Sequence, residues 1–252
     1  MTNNAPEVAI ITGGSRGIGA ACAIKLGQAG YSVVVNFTNN QTAASDITNT
    51  IIEAGGKAIS IKGDVGKEAD IINLFNETDT AFGQVTALIN NAGIVDVTTN
   101  VVDMSAARLE RMMKINVIGS ILCAREATRR MSLSKGGKGG SIVNLSSVAA
   151  TLGAPGQYVD YAASKGAIDT FTIGLAKEVA NDGIRVNCVR PGIIDTDIHA
   201  SGGIPDRAEK LKNQIPMKRP GTAEEVANAV VYLLSPKSSY STGAILDVGG
   251  GR

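Results

Sequence analysis

The sequence predicts an α/β fold, a single doubly wound parallel sheet of about seven strands with helices on both faces. Three observations carry this. Short β-branched runs alternate with longer helix-patterned stretches along the 252 residues, the order expected of βαβ units, whose crossovers cover a parallel sheet on both faces. With 44% apolar and 19% charged residues, the chain can bury a sizeable core and carries no tract that would leave it disordered. Glycine is abundant, at 30 residues against a usual ~7%, which points to tight turns and close backbone approaches.

In chain order, strands are expected at Val8–Thr12, Ser32–Asn36, Ala58–Lys62, Ala87–Asn90, Ser141–Leu145, Arg185–Val189 and Ala244–Val248. Between them the pattern lengthens to helices at Ile18–Ala29, Gln41–Ala54, Lys67–Phe82, Ser105–Met131, Tyr158–Asn181 and Ala223–Leu234. Two stretches are loose. Lys135–Gly140 is a Gly/Lys loop; Ile193–Lys218 holds Gly202, Gly203, Pro205 and Pro216 and is too long for a plain connection, so 193–218 is expected to be a substrate lid. No linker or repeat divides residues 1–252, which read as one domain.

Charge narrows the partners. Lys plus Arg number 24 against 23 Asp plus Glu, a net charge of +1, which leaves no broad field for nucleic acid or an anionic membrane. Met1–Pro6 lacks a basic and apolar leader, and no apolar run is long enough to span a bilayer, so a cytoplasmic protein is expected. Cys22, Cys123 and Cys188 are odd in number and far apart, and His199 is the one histidine. Buried thiols are expected, with no disulfide framework and no metal site.

The first strand runs into Thr12-Gly13-Gly14-Ser15-Arg16-Gly17-Ile18-Gly19 and then an alanine-rich helix. Free N–H groups and the helix dipole favour a pyrophosphate at such a terminus, and absent side chains at Gly13, Gly17 and Gly19 permit close approach. The spacing G-x-x-x-G-x-G differs from the common G-x-G-x-x-G fingerprint. The same residues satisfy the G-x-S-x-G elbow of hydrolases, but that reading needs a base for Ser15, and nothing ties His199 or Asp195 to it.

Tyr161 and Lys165 lie four residues apart, hence on one helix face. A neighbouring ammonium favours the phenolate, and the pair can then serve general acid and base chemistry. Ser146 and Ser147 follow the fifth strand, where open parallel sheets hold ligands, and can hydrogen-bond a carbonyl oxygen. Tyr158 has Ala162 four positions on in place of Lys, which makes it the weaker acid/base candidate. Asn116, within an expected helix, reads on its own as a partly exposed amide.

Taken together, Thr12-Gly13-x-x-x-Gly17-x-Gly19, Asn90-Asn91-Ala92-Gly93, Tyr161-x-x-x-Lys165 and Pro191-Gly192 resemble, in order and spacing, the motifs of the short-chain dehydrogenase/reductase family over essentially the whole chain. The resemblance implies a Rossmann-type fold, nicotinamide-dependent interconversion of a carbonyl and an alcohol, and a homotetramer paired through Ser105–Met131 and Tyr158–Asn181 and through Tyr240–Arg252. It implies that Tyr161 is the acid/base, that Lys165 lowers its pKa and holds the nicotinamide ribose, that Ser147 orients the carbonyl, and that Asn116 completes a proton relay. For the cofactor it implies Gly13, Ser15, Arg16, Gly17, Ile18 and Gly19 at the phosphates, Asp64 and Val65 at adenine, Asn91 and Ala92 at ribose, and Ile194 at the carboxamide. The interval from Ser147 to Tyr161 is one residue longer than the family's usual spacing, so Ser146 stays open as the alternative to Ser147.

The end of the second strand, Val35-Asn36-Phe37-Thr38-Asn39-Asn40, has no acid until Asp46, so no carboxylate excludes a 2′-phosphate there. Thr38, Asn39 and Arg16 can hold one. NADP(H) is therefore expected, with NAD(H) as the alternative. The substrate, a 3-oxoacyl group, ketone or sugar, is left open. Arg125, Arg129, Arg130, Lys135, Lys138 and Lys177 form either a docking face for an acyl carrier or a solvated surface. A non-catalytic dinucleotide-binding regulator is the competing function.

Overall fold

The computed structural model describes residues 7–196 and 207–252. Met1–Pro6, His199 and the middle of the expected lid lie outside the described residues. Seven strands, β1 Val8–Ile11, β2 Ser32–Phe37, β3 Lys57–Lys62, β4 Ala87–Asn90, β5 Gly140–Leu145, β6 Ile184–Pro191 and β7 Ile245–Val248, form one sheet in the order β3-β2-β1-β4-β5-β6-β7. Every neighbouring pair is parallel. The winding reverses at β1, where Ile10 stands beside Val34 on one side and Leu88 on the other. A crevice opens at such a switch point, at the carboxyl ends of the strands.

Alternate strand residues face opposite sides of the sheet, and helices cover both. On one side α1 (Gly17–Gln28), α2 (Gln41–Glu53) and α9 (Ala223–Leu234) bring Leu26, Ile51 and Val230 onto Ile11, Val35 and Ile89. On the other, α3 (Glu68–Phe82), α5 (Ser120–Met131) and α7 (Val159–Val179) bring Phe75, Met131 and Ala176 onto Ile10, Val34 and Ile142. Burial on both faces is why β1, β2 and β4 are apolar almost throughout rather than alternating. The expected elements lie within two residues of the observed ones. The four-residue helix α6 (Ala149–Leu152) and the five-residue α8 (Arg207–Leu211) were not expected; both are too short to show a helical period.

The helix expected over Ser105–Met131 is one rod with a defect. It comprises α4 (Ala106–Met113), a π-helical segment Lys114–Gly119 and α5. A π turn widens the ladder, and here it delivers Asn116 to the loop after β4. Gly119 closes the segment against the β3–α3 loop, where a Cβ would stand 2.6 Å from Val65 O.

Two surface features bear on the alternative readings of the basic residues and on assembly. Arg125, Arg129 and Arg130 all pair with the buried Glu126, and Arg125 and Arg130 reach Glu68 and Asp79 as well. On α7, Ala162 and Ile168 are buried and Phe171 and Leu175 pack on the core, whereas the exposed apolar side chains are Leu109, Met113, Ile118 and Ile121 of the rod and Ile173 of α7. Among the described residues no helix is long and apolar enough to cross a membrane. All three cysteines are free and buried.

Because Gly119 touches backbone rather than a pliable side chain, Gly119→Ala is expected to destabilise the fold by about 1 to 3 kcal/mol, the usual cost of overpacking. Urea unfolding checks this; a change below experimental error would mean that the rod and the Val65 loop move apart freely.

Candidate active site

The glycine turn after β1 is built for close approach. Gly13 and Gly17 have φ of 61° and 53°, conformations other residues rarely adopt. Gly19 is buried beneath the turn, where a Cβ would stand 2.5 Å from Gly13 O and 2.6 Å from Asn91 Nδ2. Thr12 Oγ1 accepts the amides of Asn91 and Ala92, each at 3.0 Å. Asn91 Nδ2 donates to Thr12 O and Gly13 O, both at 2.9 Å, so its amide buttresses the turn. Asn36 joins from β2: its Oδ1 accepts Gly13 N at 3.3 Å and its Nδ2 donates to Gly63 O at 3.0 Å.

This turn walls a cavity of about 460 Å³, lined by Gly13, Ser15, Arg16, Gly17 and Ile18, by Thr38 and Asn39 after β2, by Asp64 and Val65, and by Asn91 and Ala92. Asp64 Oδ1 accepts Gly66 N at 2.8 Å, and Asp64 N donates to Asp70 Oδ2 at 3.0 Å; these bonds shape the loop beside Val65. Arg111, Ile115 and Thr196 also line the cavity. Sequence reasoning missed Arg111 and Ile115, while Thr196 lies at the start of the expected lid. Ile115 has a local signal, its place beside Asn116, but Arg111 is brought in only by tertiary packing.

A second cavity of about 470 Å³ adjoins the first and shares Ile18, Asn91, Gly93 and Thr196 with it, so the two form one cleft. It brings Ser146, Ser147, Tyr158, Tyr161, Lys165 and Ile194 together, with apolar walls from Val95, Val148, Leu152, Pro155 and Ile193. The two serines divide. Ser146 Oγ donates to Lys165 O at 3.1 Å, tying β5 to α7. Ser147 Oγ accepts Ala149 N at 3.1 Å and hydrogen-bonds Tyr161. The unexpected α6 absorbs the longer interval between Ser147 and Tyr161, and its end at Gly153 leads into Ala154, which has a φ of 45°.

Burial pushes the Tyr161 phenol up to about 12, with the Ser147 bond pulling down and Tyr158 pushing up. Desolvation is the largest of these influences, and Lys165 is not among them. Tyr158 meets Tyr161 edge-on, with ring centroids 5.7 Å apart. Lys165 Nζ lies 5.6 Å from the centre of the Tyr161 ring and donates to Leu145 O at 2.7 Å. Burial pulls Lys165 down to about 8.

Asn116 is fully buried, not the partly exposed amide its helix position implies. Its Oδ1 accepts Ile94 N at 2.8 Å, and its Nδ2 donates to Ile94 O at 2.9 Å and to Ser164 Oγ at 3.2 Å. Asn116 O accepts Ser120 Oγ at 3.1 Å. The side chain thus locks the β4 loop and α7 to the rod.

The left-handed glycines, the space that a Cβ at Gly19 would fill and the N-terminus of α1 make a cradle for a pyrophosphate, and the adjoining cavity has room for a nicotinamide beside Tyr161. The site therefore fits a nicotinamide dinucleotide.

Comparison with known proteins agrees with this geometry. A family model described as "Enoyl-(Acyl carrier protein) reductase" matches residues 13–252. Over 245 residues the chain is 54% identical to "Uncharacterized oxidoreductase YgfF" of Escherichia coli K12, covering 97% of this chain and 99% of that protein. It is 36% identical over 252 residues to "3-oxoacyl-[acyl-carrier-protein] reductase" of Synechocystis, covering 100% of this chain and 98% of that one. A solved short-chain dehydrogenase/reductase from Serratia marcescens superposes with a TM-score of 0.89 at 33% identity, covering 97% of each chain. The chain belongs to the short-chain dehydrogenase/reductase family and is an NAD(P)-dependent oxidoreductase.

Proposed function

We propose that the protein is a cytoplasmic NADP(H)-dependent oxidoreductase that interconverts a carbonyl and an alcohol, with Tyr161 as general acid/base. The observation that carries this reading is the meeting of Ser147, Tyr161 and Lys165 in one cavity that opens into the glycine-walled cleft. When bound, the nicotinamide dinucleotide supplies or takes up the hydride. Ser147 donates a hydrogen bond to the substrate oxygen and orients it beside the phenol. Tyr161, a phenol and hence protonated at neutral pH, gives its proton to that oxygen in reduction. Lys165 holds the ribose and, once turned from Leu145 O, favours the phenolate left behind. Asn116 anchors the relay that returns the proton, and Ile194 lies against the carboxamide. Ile193, Ile194 and Thr196, the described start of the expected lid, border the substrate cavity. Tyr161→Phe is expected to abolish turnover and leave dinucleotide affinity within about twofold, whereas Lys165→Met damages both. Steady-state kinetics on a carbonyl panel and fluorescence titration of NADPH check this. Retained turnover in Tyr161→Phe with loss in Tyr158→Phe would move the acid/base to Tyr158.

The preference for NADP(H) rests on the rim of the first cavity. Thr38 and Asn39 after β2 and the exposed Arg16 of the glycine turn line it, the end of β2 carries no acid, and Asp64, a carboxylate in the same lining, is engaged by Gly66 N. Phe37 is buried, 5% exposed, within the core, so a charge at Phe37 disrupts packing. Thr38 is exposed and is the better test. Thr38→Asp is expected to weaken NADPH by about 1 to 3 kcal/mol, roughly 5-fold to 150-fold, through like-charge repulsion. A wild-type kcat/KM lower for NADPH than for NADH sinks the preference.

The proposed assembly is a homotetramer. The exposed apolar stripe Leu109, Met113, Ile118, Ile121 and Ile173 supports pairing along the rod and α7, and the fully exposed Tyr240 supports a second contact through the C-terminal segment. Light scattering at micromolar concentration should give four times the chain mass of 25.9 kDa; a monomer removes the proposal.

A further inference from the structure

Beneath Lys165 lies a charged cluster to which the proposed reaction assigns no role. Asp169 follows Lys165 on α7 at the same four-residue interval that separates Lys165 from Tyr161, so the three share one helix face. Asp169 is 6% exposed, and β6 holds its carboxylate. Oδ2 accepts Arg190 Nε at 3.0 Å and Nη2 at 2.8 Å, and Oδ1 accepts the Cys188 thiol at 3.6 Å. Such a two-point grip from a guanidinium fixes both position and charge. Lys165 itself is 5% exposed, and the acceptor it has, Leu145 O, is neutral.

The groups around Lys165 come from α7, β6, β7 and the rod with the β4 loop. Tyr158, Tyr161 and Asp169 belong to α7 and its cap, Cys188 and Arg190 to β6, and Asp247 of β7 approaches Arg190 Nη1 at 3.5 Å. The rod and the β4 loop contribute Asn116 and Gly93, neither of which carries charge. Burial is the largest influence on Lys165 and favours the neutral amine, while Cys188 and Asp169 oppose it. Burial also pushes the Cys188 thiol up to about 12, so at neutral pH the anion of this cluster is Asp169.

We propose that Asp169 is a positioning residue for Lys165: gripped by Arg190 and Cys188, its carboxylate keeps the Lys165 ammonium charged in a site that otherwise strips charge from it, and so sets the alkaline limit of the reaction. The consequence for that limit rests on the role of Lys165 proposed above; the link between Asp169 and Lys165 does not.

The sign separates this from a purely structural ion pair. Asp169→Asn removes the anion and leaves the Arg190 cation unbalanced, so Lys165 loses its proton at lower pH. Arg190→Gln removes the cation and leaves the anion, so Lys165 keeps its proton to higher pH. Two halves of one ion pair then move the same titration in opposite directions, whereas loss of a merely structural contact harms both variants alike.

The test is the Lys165 titration in full-length protein labelled with 13C at lysine Cε, its resonance assigned by its loss in Lys165→Met, together with kcat/KM for NADPH-dependent carbonyl reduction against pH. The midpoint is expected about 0.5 to 1 unit lower in Asp169→Asn and higher by a similar amount in Arg190→Gln, with the double variant near wild type. If Asp169→Asn does not fold, Arg190→Gln against the double variant measures Asp169 in a background without the arginine, and the double variant must then titrate lower. Midpoints that stay put, or that shift the same way in both single variants, overturn the proposal. A Lys165 titration that shifts as stated while the alkaline limb of kcat/KM stays fixed supports the link and overturns the role of Lys165 in the reaction.

Discussion

The Thr12 hydroxyl accepts the backbone amides of Asn91 and Ala92 at 3.0 Å each and reaches Ile89 O at 3.3 Å, so one buried side chain fixes the end of β4 against the end of β1. Without it the Ala92 amide would lose its acceptor, at about 1 to 3 kcal/mol for a group left unsatisfied in the interior, while Asn91 N would keep Ile89 O at 3.1 Å. The rest of the cleft follows from this joint. Asn91, held there, props the glycine turn by its own amide. That prop leaves no space for a Cβ at Gly19, and the missing Cβ lets α1 start close enough to the turn to aim its free N–H groups into the cavity. The site lies at the switch point because two strands running to the same end are stitched there while their crossovers depart to opposite sides.

A second stitch runs across the sheet below the reacting groups. Asn90 Nδ2 donates to Asn144 Oδ1 at 2.9 Å, and Asn144 Nδ2 to Thr172 Oγ1 at 2.9 Å, joining β4, β5 and α7. Buried polar chains of this kind stabilise one arrangement over its neighbours, because a slip of register leaves amides unpaired in a low-dielectric interior. The arrangement they select puts Ser146 against the Lys165 backbone and leaves Ser147 beside the Tyr161 phenol.

How far the sequence is legible follows from the range of the forces involved. Strands and helices are local and periodic, and Val33-Val34-Val35 or the alanines of α1 announce them directly. The glycine turn and Tyr161-x-x-x-Lys165 are legible because a turn and a helix face each fix their geometry within a few residues. The π segment is not, since it depends on Asn116 finding Ile94 and on Gly119 meeting Val65 across the fold. The choice between Ser146 and Ser147 is open in the sequence for the same reason: it depends on Ser146 finding Lys165 O and Ser147 finding Tyr161 across the fold. Charge states are the least legible. The helix spacing brings Lys165 and Tyr161 together, but desolvation, which depends on the whole fold, is the largest influence on each of them.

Desolvation of both groups bears on how the proposed site works as a whole. Desolvation pushes Tyr161 and Lys165 toward their neutral forms together, so the two groups reinforce one another only when something keeps the lysine charged. A neutral pair can still donate a proton from the phenol, but it cannot hold the phenolate that donation leaves. In the proposed reaction the pair therefore needs charge from outside itself, and the Asp169 carboxylate, held in place by Arg190, is an anion on the same helix face. A free carboxylate at the same depth would take up a proton instead, and one exposed to water would be screened. An ion pair beneath the site, with its anion on the same helix face as the lysine, meets both conditions.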